Sequence, residues 1–230
     1  MDKNKIYLGL KKFCLGEGVD LFGVAELGSA REDFNLPKEL LAKFDKGVSL
    51  GMRLSESVLS EITQAPTKLY FHHYRTVNNL LDQIALKVNN HIQKKGFRSL
   101  PVPASQVLDW NQQNAHLSHK KIGLLAGLGW IGRNNLLVNS RLGAHFRLVT
   151  ILTDMPLKTD KPIKRDCESC GVCVKICPAA AIKESPLDFD HIRCFQKLKE
   201  FHKLRLAEQY ICGVCVNVCR GEYSKRGRAG

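Results

Sequence analysis

The run Cys167-Glu-Ser-Cys170-Gly-Val-Cys173-Val-Lys-Ile-Cys177-Pro178 constrains this 230-residue chain more than any other feature. Its spacing, C-x2-C-x2-C-x3-C-P, is that of bacterial ferredoxins. Three thiolates two residues apart let a tight loop wrap one corner of an iron–sulfur cubane, with backbone N–H groups turned toward the sulfides. The fourth cysteine reaches a neighbouring cluster. Cys177 is expected at the start of a helix that Pro178 helps to open. Cys194 and then Cys212-Gly-Val-Cys215-Val-Asn-Val-Cys219 follow, repeating part of the spacing. Crosswise ligation uses each late cysteine once. Cys167, Cys170, Cys173 and Cys219 hold one [4Fe–4S] cluster; Cys177, Cys194, Cys212 and Cys215 hold the second. Two alternatives stay open: structural zinc, since Cys-x-x-Cys pairs also build zinc ribbons, and an incomplete second cluster with Cys194 a buried free thiol. Cys14, the ninth cysteine, lies on an apolar helical face and reads as core.

Clustered thiols point to metal ligation in a reducing compartment rather than to disulfides. The N-terminus has no uninterrupted apolar stretch and no small-residue cleavage site, so a cytoplasmic location is expected. The longest nearly unbroken apolar segment runs from Ile122 to Gly132. A bilayer needs roughly 20 such residues, so no membrane span is expected. A chain 44% hydrophobic and 25% charged is an ordinary globular mixture, which excludes collagen-like and wholly disordered classes. The net charge of +13 fits a solvated basic surface, or else an acidic partner such as RNA or an acidic redox protein.

Periodicity along residues 1–158 alternates helix and strand. Ile6, Leu10, Phe13 and Cys14 share a helical face, and Leu21 to Leu27 reads as a buried strand. Pro37 opens a short helix through Leu40, Leu41 and Phe44. Gly47 to Leu54 is strand-like. A long amphipathic helix from Pro66 to Lys95 carries Tyr70, Tyr74, Val77, Leu80, Leu81, Ile84, Val88 and Ile92 at 3-4 spacing. Residues 101–116 read as loop, Ser118 to Ala126 as helix, and Asn135–Asn139 and His145–Leu152 as strands. Thr153 to Arg165, with two prolines and several charges, marks a junction. The expected domains are 1–158 and 159–230.

Gly127-Leu-Gly129-Trp-Ile-Gly132 is formally a G-x-G-x-x-G, with Asp154 about twenty residues later. A dinucleotide fingerprint follows a strand and opens a helix; here a helix precedes and a strand follows. The glycines are better read as letting the backbone approach a flat ligand or a neighbouring element.

The stretch Ala126-Gly-Leu-Gly-Trp-Ile-Gly-Arg-Asn134 with Leu136-Leu-Val-Asn139, then Ile151-Leu-Thr-Asp154-Met-Pro-Leu157, resembles the epoxyqueuosine reductase family. The cysteine pattern is similar too, including Arg193-Cys194 ahead of the last Cys-x-x-Cys-x3-Cys. Val19-Asp-Leu-Phe-Gly-Val-Ala25 matches more loosely. The resemblance implies an α+β protein: a nitroreductase-like α/β domain of the cobalamin-reductase type, followed by a two-cluster ferredoxin-like domain. It implies a corrinoid held without a histidine below the cobalt, and this chain has no D-x-H-x-x-G. Gly127, Gly129, Arg133 and Asn134 are then expected to shape the cofactor pocket. The implied substrate is an epoxide in tRNA, and an electron donor such as ferredoxin or flavodoxin supplies the clusters.

Three departures qualify the expectation. The family's proton-donor Asp sits in a D-[ST]-A-P stretch, whereas here the region reads Asn111-Gln-Gln-Asn-Ala-His116-Leu-Ser-His119. His116, His119 and Asp109 are the substitute acid candidates. The chain ends at Gly230 without the helical-repeat extension of longer relatives, which weakens tRNA as the substrate. Arg220, not proline, follows Cys219. The expected function is therefore cluster-mediated electron transfer toward a corrinoid or similar ligand. The alternatives are a ferredoxin-type carrier or a corrinoid-activating partner with no substrate of its own.

Overall fold

The structure, a computed structural model, describes residues 2–109 and 114–224. It is α+β and divides into two compact units. The first comprises Met1–Met52, Val77–Leu128 and Arg147–Ile163; the second comprises Arg53–Thr76, Gly129–Phe146 and Lys164–Gly230. The junction expected near residue 158 lies close to the last of these divisions. The second unit also takes in two earlier segments that no composition change announces.

In the first unit, α1 (Lys3–Gly16) is capped by the Asp2 carboxylate, which accepts from the N–H groups of Asn4 and Lys5. Its buried residues are Tyr7, Leu10 and Cys14. Tyr7 rather than Ile6 turns inward, because its hydroxyl donates to the Asp160 carboxylate at 3.0 Å. Asp160 also accepts from the Val24 N–H at 2.9 Å, so the proline-flanked junction is tied down there. Burial, with Asp160 beside it, pushes the Tyr7 phenol up to about 12. Phe13 leans out and stacks on His91, ring centroids 4.2 Å apart.

Strand β1 (Leu21–Glu26) is followed by the short α2 (Lys38–Leu41) and β2 (Lys46–Arg53). β1 and β2 pair antiparallel from Leu21↔Gly51 to Glu26↔Lys46. After α3 (Glu56–Ser60), α4 (Lys68–Gln93) begins in the second unit and continues in the first. Tyr70, Tyr74, Val77, Leu81, Ile84, Val88 and Ile92 are buried along α4 as the periodicity predicts. Leu80 is not: it is 42% exposed, and Phe71 and Ala85 occupy the inner face instead.

Strand β3 (Ser99–Val102) takes two residues expected as loop, and its Pro101 is tolerated because β3 ends the sheet order β1-β2-β6-β3, in which β6 is Phe146–Thr153. Helix α5 (His119–Leu125) is capped by Ser118 and precedes β4 (Trp130–Ile131), which pairs antiparallel with β5 (Leu137–Val138). β6 (Phe146–Thr153) pairs antiparallel with β3 from Ser99↔Thr153 to Val102↔Thr150. The cysteine-bearing segment holds α6 (Val172–Ile176), α7 (His191–Lys203) and α8 (Val214–Asn217). Among the described residues, no helix is long and apolar enough to cross a membrane.

Candidate metal centre

All eight late cysteines lie in the second unit. The loop that opens the run folds on itself, with Cys170 N–H donating to the Cys167 carbonyl at 2.9 Å. Glu168 within it takes a left-handed φ of +44°, costly for a residue with a Cβ. Arg133 holds that conformation. Its Nη2 donates to the Glu168 carbonyl at 2.7 Å, its Nε to the Glu184 carbonyl at 2.6 Å, and its Nη1 to the Cys170 carbonyl. A planar guanidinium suits this, since its donors diverge in fixed directions. The carbonyls of the loop thus face Arg133.

Cys173 sits on α6, but Cys177 ends that helix in an extended conformation and no helix starts there. This corrects the sequence expectation. Pro178 drives the residue before it out of the helical region, and that effect outweighs proline's compatibility with a helix start.

The second Cys-x-x-Cys-x3-Cys is held by earlier segments of the same unit. Asn217 of α8 donates from Nδ2 to the Ile62 carbonyl at 2.9 Å, and its own carbonyl lies 3.0 Å from His145 Nε2. That carbonyl can only accept, so His145 carries its proton on Nε2. Gly143, at φ +58°, packs against the strand of backbone that follows α8: a Cβ there would lie 1.8 Å from the Cys219 carbonyl oxygen. The Ala144 N–H donates to this carbonyl at 3.2 Å.

Electrostatic neighbourhood sorts the thiols. Cys173 is raised by burial and then by Cys167 and Cys170, and Cys219 by burial with Cys173 and Cys167 also raising it. Cys194 is raised by burial and then Cys177. For Cys212, burial is again the largest cause, with Cys194 and Cys177 adding to it. Cys215 feels Cys212, Cys194, Cys173 and Cys177 beyond the dominant effect of burial. Two groups emerge, and Cys215 of the second also feels Cys173 of the first. Burial pushes Cys173, Cys194 and Cys212 up to about 11 and Cys219 to about 12. Such thiols stay protonated in neutral water unless a metal displaces the proton. Backbone N–H groups of Ala144 and Gly221 oppose the shift at Cys219.

The first group borders a small cavity of about 50 Å³ lined by Trp130, Val138, Cys167, Cys170, Cys219 and Arg220, among others. Trp130 is buried, and its indole Nε1 has no hydrogen-bond partner. Asn134, also buried, has an unpartnered Nδ2. Gly132 lies between them in sequence, and a Cβ on it would stand 3.4 Å from the Cys167 sulfur. Buried donors without acceptors are rare and costly. A sulfide-rich cluster beside them would supply acceptors, and four thiols apiece match its ligand demand. The donor chemistry therefore fits iron–sulfur clusters. Among the described residues, no three His, Cys, Asp or Glu side chains converge on a single-ion site.

The residues expected to shape a cofactor pocket serve local ends. Gly127, in the first unit, terminates α5 at φ +68° with its α-carbon against the Lys161 carbonyl. Gly129 allows β4 and β5 to close: a Cβ would lie 2.0 Å from the Val138 carbonyl oxygen. Arg133 braces the cysteine loop and is not a free arm for a ligand. The Asn134 Oδ1 accepts from the Leu136 N–H at 3.3 Å, which leaves only its amide nitrogen unsatisfied.

The acid candidates scatter. His119 Nδ1 lies 2.9 Å from the Thr150 hydroxyl and Nε2 lies 2.9 Å from the Pro103 carbonyl. The carbonyl must receive a proton, so Nε2 carries it and Nδ1 accepts from Thr150. Burial lowers His119 to about 4, holding it neutral as a structural tie. His116 Nδ1 is 3.3 Å from the Asn35 carbonyl. Asp109 forms an isolated bridge with Asn114. Residues Asn111 to Gln113 lie outside the described residues. Asp154 is spent on the Arg98 N–H at 2.7 Å.

No family model matches the chain. It is 30% identical over 172 residues to an epoxyqueuosine reductase of Pseudomonas aeruginosa, covering 70% of this chain and 44% of that protein. It spans less than half the length of the curated relatives it matches. Among solved structures, an epoxyqueuosine reductase from Streptococcus thermophilus superposes with a TM-score of 0.67 at 16% identity, covering 95% of this chain and 66% of that one. A reductive dehalogenase described as performing B12-dependent dehalogenation superposes at 0.68 with 19% identity, covering 80% and 26%. These likenesses under 25% identity establish the fold.

Proposed function

The chain belongs to the epoxyqueuosine reductase-like family, and we propose that it is a two-cluster electron-transfer protein acting as part of an oxidoreductase. Cys167, Cys170, Cys173 and Cys219 hold one [4Fe–4S] cluster; Cys177, Cys194, Cys212 and Cys215 hold the other. Such clusters store and relay single electrons. The observation that carries this reading is that the eight thiols, buried or half-buried, sort into two sets by their neighbours: Cys173 and Cys219 feel Cys167, while Cys194, Cys212 and Cys215 feel Cys177. A cluster binds each thiolate through a different iron, so its ligands need not converge on one point.

The chain's own residues do three things for such clusters. Arg133 fixes the Cys167–Cys170 loop by its carbonyls. Gly143 and Ala144 seat Cys219. Trp130 and Asn134 present unpaired N–H groups beside the first set.

A corrinoid or similar planar ligand is the proposed electron acceptor, supported by the fold likeness to a B12-dependent dehalogenase. Gly127, Gly129, Arg133 and Asn134 make local contacts, and no step is assigned to them. The second reading is an electron carrier or corrinoid-activating partner without its own substrate.

Anaerobic purification with iron, sulfide and EPR analysis tests the clusters, with about eight iron and eight sulfide expected per chain. Colourless protein carrying zinc overturns the reading. A cobalamin titration then separates the two variants: a visible-band shift with cluster-dependent cobalt reduction supports a corrinoid acceptor, and no response supports the carrier.

A further inference from the structure

We propose that a basic groove at the C-terminal end of α7 is the docking surface for an acidic one-electron donor protein, which reduces the cluster held by Cys177, Cys194, Cys212 and Cys215. This rests on the two-cluster reading above. The groove, about 490 Å³, is lined by Lys68, Phe71, His72, His202, Arg205, Leu206, Ala207 and Glu208, all in the second unit.

Charge points to an acidic partner. The Lys68 ammonium and Arg205 guanidinium are exposed at the groove beside the rings of His72 and His202, against the single carboxylate of Glu208. The basic character continues along α7 through Arg193, Lys197, Lys199 and Lys203, where Glu200 is the acidic residue. Helix α7 also carries Cys194, three residues before Lys197 and so on a neighbouring part of the helix surface. The positive face and the second thiol group therefore share one helix. A complementary field speeds encounter and orients the partner more than it tightens the complex, which suits a carrier that must dock and leave.

The surroundings favour a protein over RNA. Leu69 and Leu204, next in sequence to Lys68 and Arg205, are 55% and 61% exposed. Exposed leucines among cations suit a small protein interface with an apolar centre and charged rim. Single-stranded RNA stacks its bases best on open Phe, Tyr or Trp faces, and Phe71, the one such residue among those lining the groove, is only 4% exposed.

Arg205 adds a separate sign. It holds φ +56° just past α7, and its N–H donates to the His202 carbonyl at 2.9 Å. Glycine is the residue that such a helix-ending position favours. An arginine kept there places a charge at the groove at a backbone cost.

The test uses the full chain, reconstituted anaerobically, with reduced flavodoxin as donor in stopped flow. The wild-type rate is expected to fall more than tenfold between low salt and about 1 M salt, where screening reaches about 3 Å. Lys68→Glu with Arg205→Glu is expected to slow reduction about tenfold at low salt. Lys38→Glu with Lys43→Glu, on exposed positions around α2, is expected to leave it unchanged. Arg205→Gly should match or exceed the wild-type Tm while losing rate several-fold, a split that a purely structural arginine does not produce. Dithionite should reduce every variant alike. Normal dithionite reduction with unaltered flavodoxin rates overturns the docking surface alone. Loss of RNA affinity without loss of rate also overturns it and assigns the groove to nucleic acid. Failure of dithionite to reduce the wild-type protein overturns the cluster reading, and the docking surface falls with it.

Discussion

Gly143 and Cys219 are packed backbone to backbone: a single added methyl on Gly143 would come within 1.8 Å of the Cys219 carbonyl oxygen. Gly143→Ala cannot be absorbed by a side-chain rotation, because the obstacle is main chain and the φ of +58° is itself unfavourable for alanine. The expected result is displacement of Cys219 and loss of one cluster, with iron falling from about eight to about four per chain. Iron and sulfide assays on anaerobic protein check this; unchanged iron content would refute the seating role.

Arg133→Lys keeps the charge and discards the fork. A lysine ammonium cannot reach the Glu168, Cys170 and Glu184 carbonyls together. Loss of two charge-assisted hydrogen bonds predicts a destabilisation of about 2–4 kcal/mol. Glu168, no longer held in its left-handed conformation, should leave the loop open to proteolysis. Thermal melts and limited proteolysis measure both; a variant as protease-resistant as wild type argues against the brace.

The unpaired indole N–H of Trp130 makes a spectroscopic prediction. A donor beside a cluster favours the more negative, reduced state. Trp130→Phe removes it and should lower the midpoint potential of one cluster by about 40 mV, equivalent to about 1 kcal/mol for one electron. The second cluster should not move. EPR-monitored titration resolves the two, and equal shifts in both would point to a general packing effect.

His119 predicts a pH dependence. Its folded pKa of about 4 lies below the ordinary value of 6.5 because burial disfavours the charged ring. Between those values the unfolded chain binds a proton that the folded chain refuses, so stability falls as pH drops from about 6.5 toward 4. The loss is on the order of 2–3 kcal/mol. His119→Gln, which can still donate to Pro103, should flatten that slope relative to wild type. Parallel denaturation midpoints at pH 4.5 and 7 for the two proteins would contradict it.

Local signals were legible in the sequence, and long-range partners were not. The C-x2-C-x2-C-x3-C-P spacing marked the tight loop of Cys167 to Cys170, since such spacing is a property of the loop itself. The helical faces of α1 and α4 followed from periodicity except at Ile6, Phe13 and Leu80. There a neighbour decided: Asp160 draws Tyr7 inward, and Phe71 and Ala85 fill the face that Leu80 leaves. The family resemblance placed Arg133 at a cofactor pocket. Its actual acceptors lie 35 to 51 residues away, beyond any local pattern. Cys177 was misplaced because proline both opens helices and ends them, and only the fold decides which. Trp130 and Gly143 drew no attention as cluster neighbours. The glycine turn around Trp130 was the available signal, read toward an outside ligand rather than toward the cysteine loop.

The seat for Cys219 and the clasp on the Cys167 loop both come from residues 129–146, upstream of the thiol-rich tail. That tail is consequently no detachable cassette. Excised at residue 159 and grafted elsewhere, it would arrive without Arg133, Gly143, His145 and the Ile62 carbonyl that anchors Asn217. On the two-cluster proposal, iron insertion acts on a chain whose earlier portion is already shaped, and borrowing the module for a fusion requires cutting ahead of Arg53.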